Sequence, residues 1–187
     1  MNLKLADVPL RNVIAHFTAA GVEAGYLVPT LTGLEKSILD AHGPLRDYLR
    51  RKGIHDYALQ AKGQEAKKEV PAFIVLKDRL VESRATLYRP ESKDGDPRIW
   101  FKHLPAHVTA RNVLAVLAHE GQLYVVNASD AALLATGTDA STPLGRILSR
   151  ERPADNPAAQ ELLAKVRTVA SRGFIRTMRP GPTGIGY

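Results

Sequence analysis

Val113-Leu-Ala-Val-Leu-Ala-His-Glu-Gly-Gln-Leu-Tyr-Val-Val-Asn127 decides the fold class. Two apolar runs rich in β-branched residues, 113–118 and 123–127, meet across His119-Glu-Gly-Gln122. So short a glycine-bearing connection between such runs reads as a β-hairpin. Further strands lie upstream. Residues 72–76 form a continuous apolar run after Pro71. Arg84, Thr86 and Tyr88 alternate with Ala85 and Leu87, and Ile99 and Phe101 alternate with Arg98, Trp100 and Lys102. Gly25-Tyr-Leu-Val-Pro29 is a short strand stopped by proline. At least five strands make the class α+β, mostly β. Between two of them, Arg89-Pro-Glu-Ser-Lys-Asp-Gly-Asp-Pro97 is a charged, turn-forming tip.

The helical pieces are short. Asp7 and Pro9 suit a helix start, although 12–17 reads equally as a strand. Thr32-Gly-Leu-Glu35 fits a capping box, and Leu31, Leu34, Ile38 and Leu39 follow helical spacing, which predicts a helix over 33–41. Gly43-Pro44 opens a second helix with Leu45, Tyr48 and Leu49 on one face and Gly53 at its end. Residues 54–70 are polar and lysine-rich, and read as a long loop, mobile or ordered by a partner. Asp130 caps a helix reaching Ala135, and another runs over 143–148. The domain is expected over 1–148, a linker over 149–155, and a new unit over 156–187. That unit opens with a helix whose stripe is Leu162, Leu163, Val166, Val169 and Ala170.

The chain has 187 residues, 44% hydrophobic and 24% charged. That is enough apolar material for one large folded domain, or one domain and a piece of another. The lack of cysteine excludes a disulfide scaffold, Cys-based zinc sites and thiol catalysis. The first residues are not patterned as a signal peptide, and no stretch approaches ~18 apolar residues, so a cytoplasmic protein without a membrane partner is expected. The net charge is +7 and the sequence pI about 9.8. Residues 1–102 carry +4, residues 103–144 carry −2 and residues 145–187 carry +5. Basic segments on either side of an acidic middle point to phosphate-facing regions, the competing reading being a solvated basic surface. The six histidines are scattered, with His103 and His107 split by Pro105, so no metal site is expected. There is no nucleophile elbow and no Walker-type phosphate loop.

Two resemblances sharpen this. Gly173-Phe174, Arg179, Gly181 and Thr183-Gly184-Ile185-Gly186 resemble the opening of the MvaI/BcnI-like restriction endonuclease domain. In that family a glutamate and an Asp…Glu-x-Lys constellation follow, holding Mg²⁺ and a nucleophilic water. None precedes Tyr187. The resemblance therefore implies an N-terminal fragment with no catalysis of its own, Mg²⁺ belonging only to a nuclease domain joined in cis after residue 187. Separately, Gly25–Pro29, Ser83–Tyr88, Asp96–Ile99 and the stretch from Val113 to Ser129 look like the B3-like N-terminal effector domain of EcoRII-type endonucleases. That implies an open pseudo-barrel of about seven strands with short flanking helices, gripping the DNA major groove between two arms. Residues 30–70 depart from the pattern in being longer and more helical.

The combination resembles Type IIE restriction endonucleases of prokaryotes. It implies sequence-specific binding of double-stranded DNA at a short CC-W-GG-like site. The first arm falls near 18–24 and the second at 89–98. On this reading Arg89 and Arg98 offer bidentate forks to guanine, while Asp94 or Asp96 accepts from cytosine. Lys93 and Lys102 flank them. Lys62, Lys67 and Lys68 contact phosphates, and Lys36, Gln60 and Tyr26 complete the expected surface. The competing readings are a hairpin tip with local turn hydrogen bonds, a solvated lysine run, and core or rim packing for Tyr26, Tyr57 and Trp100. A small RNA- or protein-interaction domain, or an enzyme with an unrecognised site, remain the alternatives for the whole chain.

Overall fold

The hairpin forms as read: β6 (Leu114–His119) and β7 (Gln122–Asn127) pair antiparallel. Glu120 and Gly121 between them both have positive φ, 48° and 77°. Two such residues make the mirror-image turn whose twist matches the strands it joins. The computed structural model describes residues 7–151. The expected helix and glycine-rich tail of 156–187, and the linker residues from 152 on, lie outside the described residues.

Before the hairpin come α1 (Asp7–Ala19), β1 (Gly25–Leu27), α2 (Leu31–Glu35), β2 (Leu39–Asp40) and α3 (Gly43–Arg51). Then come β3 (Lys68–Val75), β4 (Leu80–Tyr88) and β5 (Arg98–Phe101). After the hairpin lie α4 (Ala131–Ala135) and α5 (Pro143–Glu151). The seven strands form one sheet in the order β1-β6-β7-β3-β4-β5-β2, with β3 and β7 parallel and the other neighbours antiparallel. The class is α+β, mostly strand, with the sheet curled into a nearly closed barrel.

One face of every strand enters a single core. Leu27, Leu39, Ala72, Leu87, Ile99, Phe101, Val116 and Val125 share it, each at most 4% exposed. The period-2 alternation of the strands makes this possible, since one face turns inward along its whole length. Helix α3 plugs the barrel with Leu45, Tyr48 and Leu49. Its close approach needs Gly25, because a Cβ there would stand 2.4 Å from Leu45 Cδ1. The hydroxyl of Tyr48 accepts the N–H of Ala118 at 2.8 Å. Ala118 lies past Val116, the last β6 residue to pair with β1, so the tyrosine satisfies a buried amide that the sheet leaves over.

The outer face of β6 and β7 is buried as well. Ala115, Leu117, Tyr124 and Val126 pack with Val13 and Phe17 of α1, Leu133 of α4, and Leu144, Ile147 and Leu148 of α5. No residue of β4 or β5 belongs to this second core. At the end of α5, Glu151 meets His119 Nδ1 at 2.7 Å and Lys52 Nζ at 3.4 Å. Helix α5 thus runs through Ser149-Arg150-Glu151, the first residues of the segment read as a linker.

Three local expectations change. The ambiguous 7–20 segment is helical, burying Val13 and Phe17 on one face. The helix expected over 33–41 stops at Glu35, and its N-cap is Thr30, whose Oγ1 accepts from Gly33 N–H at 3.0 Å. The sheet claims Leu39 and Asp40 instead: Leu39 pairs with Ile99 and is buried in the barrel. Of residues 54–70, expected to be a long loop mobile or ordered by a partner, 68–70 open β3 and the rest are held by their own contacts. Ile54, Tyr57 and Gln60 are buried, and Gly63 N–H donates to Arg89 O at 2.8 Å.

Candidate nucleic-acid interface

With helices over β6, β7 and the end of β3 and none on β4 and β5, the outer face of β2, β5 and β4 and of the start of β3 is left open. Its rows are set by the strand register. Asp40, Arg98 and Tyr88 lie side by side across β2, β5 and β4, and Glu69, Thr86 and Trp100 across β3, β4 and β5. A shallow hollow of about 590 Å³ lies on this face, lined by Glu69, Glu82, Arg84, Trp100, Lys102 and His103 among others. Arg84 is paired with Glu69 at 2.8 Å, whereas the exposed Lys102 has no ion pair among the described residues. At one end of the face rises the 89–97 tip. At the other, Ile38 and His103 flank it, and His103 has φ 66°.

The tip is braced from within. Arg89 donates from Nε to Gly95 O at 2.9 Å, and its Nη1 reaches the carbonyls of Tyr57 and Gln60, both at 3.4 Å. Arg98 pairs with Asp40 through Nη1 and with Asp96 through Nη2, and only 12% of its side chain is exposed. Tyr57 donates its hydroxyl proton to the Arg98 carbonyl at 2.8 Å. The two arginines expected to face guanine thus brace the tip from within, Arg89 through Nε and Nη1 and Arg98 through its ion pairs. The physical reason is their position at the root of the tip, Arg89 just after β4 and Arg98 at the start of β5, where backbone carbonyls and Asp40 converge.

Gln60 is likewise structural. Its Nε2 donates to the carbonyls of Ala66 at 2.6 Å and Leu87 at 2.9 Å. That leaves Oε1 as the acceptor facing His55 Nε2 at 3.0 Å, so this nitrogen of His55 carries the proton. Burial lowers the His55 pKa and the Lys68 charge adds to that, against smaller opposing effects of Gln60 and Asp56. Lys68 is also committed, donating to Ile54 O at 2.7 Å.

Among the expected side chains, those open to solvent are Asp94, Asp96, Lys62, Lys67, Lys68, Lys102 and Lys36. Asp94, at φ 53°, sits in the turn Lys93–Gly95 at the apex of the tip. Gly95 (φ 74°) lies under the stem of Lys62, whose Cε would meet a Cβ there at 2.7 Å. The Lys67 ammonium stands 5.2 Å from the Tyr88 ring centre. Lys36 closes α2, away from the tip. Tyr26 is remote from the rest: it packs edge-on against Phe17 under α1, and burial with the nearby Glu23 charge pushes its hydroxyl up to about 12. The first arm expected near 18–24 does not project. Val22 is buried and its N–H closes α1 onto Phe17 O at 2.9 Å.

The sequence reading missed Arg46 and Arg50. They are four apart on α3, beside the face of Leu45, Tyr48 and Leu49, a spacing that was there to be read. They border a second hollow, of about 230 Å³, on the far flank of the tip. Among the described residues no group of three His, Cys, Asp or Glu side chains converges as a metal site, and no helix is long and apolar enough to cross a membrane. No family model, curated protein or solved structure matches the chain.

Proposed function

We propose that this domain binds double-stranded DNA and reads a short sequence in the major groove, as the effector or targeting module of a Type II restriction endonuclease. The observation that carries the reading is the helix-free outer face of β2, β5, β4 and the start of β3, ending in a charged tip whose base is braced by Arg89, Arg98, Tyr57 and Gln60. A protrusion fixed by its own hydrogen bonds enters a groove without losing much conformational entropy on binding. Asp94 and Asp96 at its exposed end are placed to accept from cytosine N4. Lys62, Lys67 and Lys102 supply phosphate contacts, which position the duplex without specifying its sequence. In this reading chemistry belongs to a nuclease domain in cis, with its Mg²⁺, and the recognition site is CC-W-GG-like.

Fluorescence anisotropy with a CC-W-GG duplex and a scrambled one, over a salt series, tests this. The expected result is a preference for the first duplex of roughly ten-fold or more, with affinity falling log-linearly in salt. Equal binding of both duplexes, or tighter binding of single-stranded RNA, overturns it. Lys67→Ala and Lys102→Ala are expected to weaken both duplexes alike, while Asp94→Ala reduces the preference.

A further inference from the structure

The hollow on the far flank of the tip has a charge balance that the fold does not explain. Arg46, Arg50 and Arg89 converge on it, with Asp47, Asp56 and Tyr57 as the other lining groups of note. Arg46 is exposed and has no carboxylate partner among the described residues. Arg89 is half-buried, and its hydrogen bonds go to carbonyls alone, so no carboxylate neutralises it. Arg50 pairs with Asp47 at 3.3 Å, the only carboxylate–guanidinium pair in the hollow. The other acid, Asp56, spends an oxygen on Ala58 N–H at 2.9 Å. Three guanidiniums face two carboxylates. Arg46 and Arg50 are moreover four apart on one helix, where like charges repel. An arrangement unfavourable for the isolated fold is the kind that an anionic ligand offsets.

We infer that this hollow holds one backbone phosphate of the duplex, which rests on the DNA-binding reading above. Guanidinium forks match the paired oxygens of a phosphodiester, and several converging from α3 and the base of the tip fix its position. The connectivity fits a groove. Pro97 lines this hollow and the next residue, Arg98, faces the open sheet, so the tip separates the two surfaces. With the tip in the major groove, Lys67 and Lys102 face the phosphates of one flanking strand and Arg46 with Arg50 those of the other. The tip is straddled, and the duplex is held from both sides of the groove.

The test uses the full chain and duplexes carrying one neutral methylphosphonate at successive positions. For Arg46→Gln, affinity is expected to fall roughly 3- to 10-fold for every duplex, sequence preference to stay, and the log–log salt slope to drop by about one. One methylphosphonate position should weaken the wild type but leave Arg46→Gln unaffected, which identifies the phosphate contacted. Arg46→Lys should keep the salt slope. Both side chains are exposed, so Arg46→Gln is expected to leave the unfolding midpoint level or slightly raised by the lost repulsion, which reports on folding independently. A wild type that binds duplex while Arg46→Gln and the Arg46→Gln, Arg50→Gln double variant retain its affinity and slope overturns the subsite alone. Methylphosphonate losses that are additive with Arg46→Gln at every position do the same. A wild type that binds no duplex removes the DNA reading and the subsite together.

Discussion

Arg89 at the base of the tip reaches Gly95 in its turn, the Nε–H of the arginine donating to the glycine carbonyl at 2.9 Å. A loop closed by its own first residue has a fixed outline, and its neighbour Gly63 fastens it from below through the Arg89 carbonyl at 2.8 Å. Arg89→Lys keeps the charge but loses the Nε and Nη1 bonds. It is expected to lower stability by about 1–2 kcal/mol in urea unfolding. It should also cut the preference between duplexes while leaving the salt slope near that of the wild type.

Arg98 is tied to Asp40 of the edge strand and lies beneath the tip. Because Asp40 itself is 59% exposed, the ion pair contributes little, and the buried stem of Arg98 matters more. Arg98→Ala is therefore expected to cost about 1–2 kcal/mol of stability, whereas Asp40→Asn costs less than about 0.5. Equilibrium unfolding of both variants checks the order. Equal costs would show that the pair, not the stem, carries the effect.

Gln60 provides a test of orientation. Its amide donates twice to carbonyls, and a carboxylate in its place has no proton to offer. Gln60→Glu is expected to be destabilised by about 2–3 kcal/mol at neutral pH, more than Gln60→Met. Two facing carbonyls disfavour the ionised form, so the pKa of the new carboxyl is raised in the folded state. Its protonated form is then the stabilised one, and the variant should regain stability as pH falls through that raised value. Unfolding midpoints at several pH values measure it.

His55 imposes the opposite trend on the native chain. Its folded pKa lies below the ordinary value of 6.5 because burial disfavours the charged ring. The unfolded chain therefore binds the proton more readily, and the contribution of His55 is full above 6.5 and declines as pH falls below it. Gln60 and Asp56 oppose the shift and Lys68 supports it. In His55→Gln the stability difference between pH 7.5 and pH 5.5 is expected to shrink. A difference identical to the wild type's would assign the pH dependence to other groups.

Tyr48 is 2% exposed and its hydroxyl is the acceptor for Ala118 N–H. Tyr48→Phe keeps the ring and strands the amide, at an expected cost of about 1–2 kcal/mol. Amide hydrogen exchange should show Ala118 losing protection while its β6 neighbours Leu117 and Val116 keep theirs.

The strands were legible in the sequence because their pattern is local. Alternation in 84–88 and 98–101 fixes which face is inward whatever the partner strand, and the unbroken apolar runs around Glu120-Gly121 mark strands buried on both faces. Asp130 as the cap of α4, and Leu45, Tyr48 and Leu49 as one face of α3, were legible for the same reason. The short helix α2 was misjudged because Ile38 and Leu39 keep helical spacing, yet Leu39 gains more by pairing with Ile99 inside the barrel.

Local pattern alone sets most of the strands, the inward face of those that alternate, and a charged tip between two of them. The use of each charge on that tip is set only when the chain has folded. Arg89, Arg98 and Gln60 read as ligand-facing because Arg and Gln are the residues that groove contacts need. In the fold they stand where loop carbonyls and Asp40 converge, and a buried donor bonds whatever acceptor is nearest. Arg46 and Arg50 drew no reading from the sequence, yet α3 turns them toward the flank of the tip. A side chain's chemistry is written in the sequence, but which groups it meets depends on strand order and helix placement, which no local pattern encodes.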